Sequence, residues 1–216
     1  MCGIFGGCYF GHSSDPSIMD WMSSASLLLQ HRGPDSCDSY QSKNKKIQFF
    51  HQRLKIRDLT DLSSQPMQSS DGSVVMAFNG EIYNYVELRE TLKELGYKFN
   101  TSGDTEVLLY SYLNWGCDFL EHVDGMYAVA VYDIEKNLLY LFRDRYGEKP
   151  IYYSLTNECL YFSSELKPLL QQPNFKKTLN EQSVSNYLAY GFVFGAKTLV
   201  DGICKVNNSS FVKLDL

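Results

Sequence analysis

The chain opens with Met1-Cys2-Gly3-Ile4-Phe5-Gly6, which joins a reactive side chain to the start of a predicted buried strand, residues 4–10. If Met1 is removed, Cys2 carries a free α-amine with a pKa of about 7.7–8.0, close to the thiol value of about 8.5. The amine can then accept the thiol proton, so that one residue serves as nucleophile and base. On its own, Cys2 is better explained as a small buried residue of an ordinary strand than as a catalytic nucleophile. The motifs described below reverse that preference.

Length and composition restrict the class of protein. The 216 residues suit one large domain or two small ones, and the 16 tyrosines and 13 phenylalanines favour a strand-rich fold. The net charge is -5 and the basic residues are scattered, which argues against nucleic acid as a partner. We find no apolar run of about 18 residues and no signal-peptide pattern, so we expect a cytoplasmic protein without a membrane partner.

The cysteines do not indicate a metal site. No two of them have the C-x-x-C spacing of a zinc or redox motif. In a cytoplasmic protein they should be reduced thiols. We therefore expect neither a metal nor a cofactor to be bound by this chain. The six cysteines are at positions 2, 8, 37, 117, 159 and 204.

The order of predicted elements indicates an α+β fold. Strands come first, then two or three helices, then a run of strands, an order that argues against parallel βαβ units and for antiparallel sheets covered by helices. We predict a turn at Asn79-Gly80-Glu81 and a loop over residues 58–72. The predicted strands are 4–10, 47–56, 74–78, 126–134, 138–142, 151–155, 159–162 and the chain end; the predicted helices start at Asp15, near Val86, after Asp104, near Ser164 and near Asn180.

Three polar clusters lie at predicted strand ends or turns: Arg53, Asn79-Gly80-Glu81 and Gly103-Asp104. Each one singly is better explained as a surface arginine, a common turn or a helix start. Together with Cys2, they form the set that hydrolysis of the glutamine side-chain amide requires.

Each requirement of that reaction has a candidate residue. The amide NH₂ of Asn79 and the backbone N–H of Gly80 can donate to the oxyanion. Arg53 can bind the substrate α-carboxylate through its two-pronged guanidinium. Glu81 and Asp104 can bind the substrate α-ammonium.

Several longer motifs resemble those of the glutaminase domain of class II glutamine amidotransferases, and most closely the branch of glutamine-hydrolysing asparagine synthetases. The resemblance covers essentially the whole chain, and motifs of this length in the same order make it specific. The matching segments are residues 1–6, His31-Arg32-Gly33-Pro34-Asp35, residues 78–84, Gly103-Asp104-Thr105-Glu106, residues 142–150 and Ser164-Glu165-Leu166-Lys167.

The resemblance implies a four-layer αββα sandwich of two antiparallel sheets, of the N-terminal-nucleophile hydrolase type. It also implies a glutaminase that forms a thioester on Cys2 and supplies ammonia to a synthetase. The implied site residues are Cys2, Asn79 and Gly80 for catalysis, and Arg53, Leu54, Ile56, Arg57, Glu81 and Asp104 for binding L-glutamine, with the Arg32 loop in support.

Two departures from the family pattern matter. Family members usually carry a small apolar residue where Arg57 stands. The sequence also lacks both the S-G-G-x-D-S loop of ATP pyrophosphatases and G-x-x-x-x-G-K-[ST]. We therefore predict a glutamine amidotransferase domain over 1–190 and a hand-over segment over 191–216, with ATP and magnesium bound only by a synthetase part absent from this sequence.

Alternatives remain open at this point. The fold could serve as a catalytically altered or scaffolding relative, or the ammonia could go to another acceptor, such as a sugar acid, instead of aspartate. A cysteine hydrolase could instead pair Cys2 with a histidine, and the four histidines are His12, His31, His51 and His122. A homodimer is possible. The sequence does not name the amide acceptor.

Overall fold

The computed structural model describes residues 1–11 and 19–216. Along this chain, β-strands are interspersed with short helices. The strands are β1 Gly3–Tyr9, β2 Ser36–Gln41, β3 Ile47–Arg53, β4 Met67–Gln68, β5 Val74–Ile82, β6 Gly125–Asp133, β7 Leu138–Arg143, β8 Tyr152–Leu155, β9 Cys159–Ser163, β10 Cys204–Lys205 and β11 Ser210–Asp215. The α-helices are α1 Trp21–Ser26, α2 Tyr85–Glu94, α3 Asp104–Trp115, α4 Phe119–His122, α5 Leu166–Leu169 and α6 Glu181–Tyr190, with 3₁₀ turns at Leu27–Arg32, Asp61–Ser63 and Gly116–Asp118.

The strands form two sheets. The first has six strands in the order β10-β8-β9-β1-β3-β2, and the second has five in the order β11-β7-β6-β5-β4. Every strand pair within them is antiparallel. The prediction of an α+β fold with two antiparallel sheets is therefore confirmed.

The alternation of side chains along β1 divides the core into layers. Successive residues of a strand point to opposite faces of the sheet. Ile4 and Cys8 pack with residues of the second sheet, whereas Phe5 and Tyr9 pack with Met22 and other residues of α1 and α5. The first sheet thus has helices on one face and the second sheet on the other.

The same alternation holds on β5 of the second sheet. Val75 and Ala77 face the first sheet, and Met76 and Phe78 pack against α2 and α3. The layers are therefore helix, sheet, sheet and helix. This is the predicted four-layer αββα arrangement.

This geometry brings the polar residues together at one end of the inter-sheet space. Cys2 continues the inward-facing series of Ile4 on β1, and Arg53 continues that of Phe49 on β3. On β5, Asn79 and Glu81 continue the series of Val75 and Ala77. Three strand ends thus present their polar residues to the same space.

The structure corrects the predicted turn at Asn79-Gly80-Glu81. These residues belong to β5, where they pair with Ala128, Tyr127 and Met126 of β6. Pairing along the whole length of β6 satisfies the backbone groups and overrides the local turn preference.

The predicted loop over 58–72 is also partly wrong, because it holds a 3₁₀ turn and strand β4. The predicted helix start at Asp15 lies outside the described residues, while its later part is seen as α1 and a 3₁₀ turn.

Residues 191–216 contribute a strand to each sheet. Strand β10 pairs with β8, and β11 pairs with β7. Ile203 and Val206 are buried, whereas Phe192 and Phe194 are about half exposed. The assignment of 191–216 as a hand-over towards a synthetase stays a prediction. Within residues 1–11 and 19–216, no helix is long and apolar enough to cross a membrane.

Candidate active site

One cavity at the end of the inter-sheet space collects every predicted site residue. Its volume is about 130 Å³, which suits a small metabolite rather than a macromolecule. Strands β1, β3 and β5, the chain following β3, and the start of α3 build its wall. The predicted residues that line it are Cys2, Arg53, Leu54, Ile56, Arg57, Asn79, Gly80, Glu81 and Asp104.

The thiol of Cys2 lies against the backbone of Leu54. The Leu54 N–H donates to Cys2 Sγ over 3.4 Å, and the thiol faces the Leu54 carbonyl oxygen at 3.8 Å. Burial raises the pKa of the Cys2 thiol, while the Leu54 N–H, the chain's terminal amine and two nearby arginines lower it. Burial is the largest of these effects, so the thiol needs a base before it can attack.

The loop around Arg32 holds the backbone of Cys2 in place. Arg32 Nε donates to the Cys2 carbonyl oxygen over 2.9 Å, and Arg32 Nη1 contacts Glu165 Oε1 at 3.1 Å. The N–H of Ile4 donates to Ser164 Oγ over 3.0 Å. Two of the matched motifs, at residues 31–35 and 164–167, thus support the first residues of β1.

Asn79 presents an unused donor to the cavity. Its side chain is buried, and Nδ2 has no hydrogen-bond partner among the described residues. An unpaired buried amide is costly, so such a group calls for a functional explanation. The preceding residue is fixed, because the Phe78 N–H donates to Gln65 Oε1 over 2.6 Å.

Gly80 is needed because β6 approaches closely. A Cβ added at Gly80 would lie 2.1 Å from the carbonyl oxygen of Met126. Any larger residue would push the two strands apart. The close approach therefore fixes glycine next to Asn79.

Arg53 is oriented by the chain that follows β3. Its Nη1 donates to the Thr60 carbonyl over 2.8 Å and its Nη2 to the Asp58 carbonyl over 2.5 Å. Asp58 is fixed in turn, since its carboxylate accepts from the N–H of Ser102 over 2.7 Å. Arg53 makes no ion pair with any described carboxylate, so its charge is available to an anion in the cavity.

Two carboxylates, those of Glu81 and Asp104, line the cavity. Asp104 starts α3, where the helix dipole favours a negative charge, and it accepts from the Ile82 N–H over 3.0 Å. Burial raises the pKa of Asp104, against the lowering by backbone N–H groups and Arg57. Glu81 is one-third exposed and pairs with the guanidinium of Arg57.

The described histidines do not pair with the Cys2 thiol. His31 binds Glu165 at 2.9 Å, His51 binds the Phe78 carbonyl oxygen at 3.2 Å, and His122 stacks on Trp115. His12 lies outside the described residues. The alternative of a cysteine–histidine hydrolase therefore has no geometric support among His31, His51 and His122.

Gln65 and Lys149 are two of the cavity-wall residues that were not predicted from the sequence. Gln65 fixes β5 beside Asn79 and donates to Thr105 Oγ1 over 3.2 Å. Lys149 is buried, lines the cavity and places its Nζ 3.4 Å from the sulfur of Met1. Lys149 falls in the matched segment 142–150, which could have marked it. Nothing in the sequence around Gln65 distinguishes it from a loop residue.

A thiol, an unpaired amide donor, a free guanidinium and two carboxylates in one small cavity suit hydrolysis of an amino-acid amide. A family model described as a glutamine amidotransferase domain matches residues 1–215. The chain belongs to the glutamine amidotransferase domain family. The predicted family membership is confirmed.

The chain is similar to several glutamine-hydrolysing asparagine synthetases. Asparagine synthetase 1 of Bacillus subtilis (strain 168) is 38% identical over 183 residues, which is 85% of this chain and 28% of that protein. Asparagine synthetase 3 of the same strain is 35% identical over 195 residues, 88% of this chain and 31% of that protein. The chain thus spans about a third of these relatives.

A more distant solved structure shares the fold. It is the glutamine phosphoribosylpyrophosphate amidotransferase from B. subtilis complexed with ADP and GMP, with a TM-score of 0.62 and 18% identity. The match covers 99% of this chain and 49% of that one. The likeness confirms the predicted N-terminal-nucleophile hydrolase fold of this glutamine amidotransferase domain.

Proposed function

We propose that this glutamine amidotransferase domain hydrolyses L-glutamine to glutamate and ammonia through a thioester on Cys2. The observation that carries the proposal is the unpaired Nδ2 of Asn79 in the same cavity as the partly buried Cys2 thiol. A buried donor without a partner is suited to a charge that exists only during the reaction.

The reaction needs two chemical steps. Cys2 Sγ attacks the side-chain amide carbon, and its proton passes to the α-amine of Cys2 while Asn79 and Gly80 hold the oxyanion. The tetrahedral intermediate then expels ammonia, which takes that proton, and leaves the thioester. Water attacks the thioester, the C–S bond breaks, and glutamate leaves with the thiol restored.

The α-amine of Cys2 is the base in this proposal. Burial raises the pKa of the thiol, so it is protonated at neutral pH without help. No described histidine reaches it. Removal of Met1 would free an amine on the same residue, and it would also clear Met1 from the cavity that it now lines.

The ends of the substrate have complementary partners. Arg53 carries an unpaired positive charge for the α-carboxylate, and Glu81 and Asp104 carry the negative charges for the α-ammonium. Backbone groups around Leu54, Ile56 and Arg57 line the same wall and support the substrate from that side.

The fate of the ammonia extends the proposal beyond this chain. The relatives' printed names join glutamine hydrolysis to asparagine synthesis, and they are about three times longer than the matched part. We infer a cytoplasmic system in which a synthetase domain or subunit uses ATP and magnesium to activate aspartate and capture the ammonia. The glutaminase step itself uses no cofactor.

The decisive experiment measures glutamate and ammonia released from glutamine by the chain with Met1 removed, as verified by intact mass. We expect turnover without ATP or magnesium and no asparagine. The Cys2→Ala variant should be inactive with an unchanged melting temperature, and the Met1-retaining chain should be inactive as well.

Three results would contradict the proposal. Activity above a few per cent in Cys2→Ala would exclude the thioester. Equal rates with and without Met1 would exclude the amine as base. Amide synthesis by the isolated chain in the presence of ATP would overturn the division of labour between this domain and a synthetase.

A further inference from the structure

Arg57 introduces a second positive charge into the cavity. Its guanidinium pairs with Glu81, and both side chains are 36% exposed. The pair lies on the cavity wall together with Asp104 and Cys2. One of the two carboxylates available to a substrate ammonium is therefore already engaged by a cation of the protein.

The guanidinium is held from a second side by an aromatic ring. The central carbon of the Arg57 guanidinium lies 4.8 Å from the ring centroid of Tyr85, the first residue of α2. Arginine stacks favourably on such a ring. Arginine stays protonated at physiological pH, and the hydrogen bond with Glu81 raises the pKa of Arg57 further, so the charge is permanent.

The charge balance at this subsite is altered by Arg57. Glu81 and Asp104 together would offer up to two negative charges, but Arg57 cancels one, and burial raises the pKa of Asp104. Arg53, which also lines the cavity, has no carboxylate partner in the described chain and retains its charge for a carboxylate. The site is therefore better adapted to the carboxylate of an amide substrate than to its ammonium.

We propose that Arg57 is a specificity-determining residue that occupies the ammonium subsite and admits ω-monoamides of dicarboxylic acids that carry no α-ammonium. The inference rests on the proposed glutaminase function and deepens it. A substrate ammonium must compete with Arg57 for Glu81, whereas an uncharged α-position need not.

The test compares glutamine with glutaramate, which is the same molecule without the amino group. For each, kcat/KM is measured in the chain lacking Met1 and in its Arg57→Leu variant. A partly exposed ion pair changes an equilibrium constant by up to about fivefold. We therefore expect Arg57→Leu to raise the ratio of kcat/KM for glutamine over glutaramate by roughly three- to fivefold.

Lys55 offers a matched control two residues away. It pairs with Asp61 at 2.8 Å and does not line the cavity, so Lys55→Leu removes a cation from the same segment and should leave the ratio unchanged. Arg57→Gln serves as a second variant in case leucine disturbs the segment. It should raise the ratio in the same direction, and Arg57→Lys, which keeps the charge, should not.

The outcomes separate the two proposals. A ratio that is unchanged or lowered in both Arg57→Leu and Arg57→Gln, with glutamine still hydrolysed, overturns the inference alone. An equal rise of the ratio in Lys55→Leu also overturns the inference, because loss of any nearby positive charge would then explain the change. A chain that hydrolyses neither amide overturns the proposed function, and the inference with it.

Discussion

Two polar regions of this domain use similar residues in opposite ways. Asp144 is fully buried, and its carboxylate accepts hydrogen bonds from the N–H groups of Tyr127, Tyr146, Glu148 and Lys149. In the cavity, by contrast, Asn79 is buried and its Nδ2 donates to nothing among the described residues.

The arginines show the same contrast. Arg143 donates to the carbonyl oxygens of Lys149, Val206 and Gly147, so its hydrogen bonds tie one segment of the chain to the next. Arg53 is oriented by carbonyl groups but has no acidic partner in the described chain. The difference teaches that a buried polar group satisfied by backbone serves folding, whereas one left unsatisfied at a cavity serves a ligand.

Of the variants considered, Asp144→Ala should have the largest effect, which we expect to be a loss of folding stability. Four N–H groups would lose a charged acceptor, and each such hydrogen bond contributes up to about 1.5–3 kcal/mol before water replaces it. We expect the free energy of unfolding to fall by roughly 3–5 kcal/mol in urea unfolding. If unfolding is unchanged while glutaminase activity is lost, the contrast between the two regions is wrong.

Asn79→Ala is the matched test in the cavity. The variant should lower kcat by roughly 10²–10³, equivalent to about 2.7–4 kcal/mol, because one oxyanion donor is lost. Its melting temperature should not fall, because Nδ2 makes no hydrogen bond in the free domain. A rise in KM alone would remove Asn79 from the oxyanion role.

Much of this contrast was available from the sequence. The motif resemblance gave the fold and family, and strand alternation explains why Cys2, Arg53 and Asn79 share the inter-sheet face. Whether Asn79 lies in a turn or within strand β5 was harder to predict. Asn-Gly favours a turn locally, and only pairing with β6, more than 40 residues later in the chain, keeps Asn79 in β5.

Other parts of the site depend on contacts that no local pattern encodes. Gln65 reaches β5 from a segment predicted as loop, and Lys149 enters the cavity from the turn after β7. The sequence showed that Arg57 departs from the family pattern. It did not show that Arg57 pairs with Glu81, because that depends on how the segment after β3 meets the end of β5.

His51 sharpens the comparison, because its ring is buried, one of its two nitrogens has no partner among the described residues, and it does not line the cavity. Its Nδ1 has no partner among the described residues. Burial lowers the pKa of His51 to about 4 from its ordinary 6.5. An unsatisfied group away from the cavity should affect stability and not catalysis.

The lowered pKa of His51 determines the direction in which stability changes with pH. As the pH falls below 6.5, the unfolded chain binds a proton that the folded chain does not, so stability is lost progressively down to about pH 4. We expect a loss of about 3 kcal/mol over that range, measured by urea unfolding. His51→Gln should remove most of this slope and keep kcat/KM for glutamine within about threefold; a large loss of activity would mean that His51 acts in catalysis.

Arg53→Lys gives the smallest expected effect, and it tests a residue that combines both uses of a polar group. Its guanidinium binds two carbonyl oxygens as a structural residue does, yet its charge is unpaired as in a ligand site. Lysine keeps the charge but loses the fork that binds a carboxylate through two N–H groups. We expect KM for glutamine to rise about tenfold, with kcat within threefold, because the contact exists in the ground and transition states alike.

The stability of the Arg53→Lys variant and its KM values separate the structural role of Arg53 from its role in binding substrate. A loss of about 1 kcal/mol would reflect one missing hydrogen bond to the carbonyls of Asp58 and Thr60. If KM for glutamine rises but KM for the carboxamide analogue of glutamine, which lacks the α-carboxylate, does not, Arg53 binds the carboxylate. If the two KM values rise equally, Arg53 acts only by shaping the segment that follows β3. Another residue of the cavity then binds the substrate carboxylate.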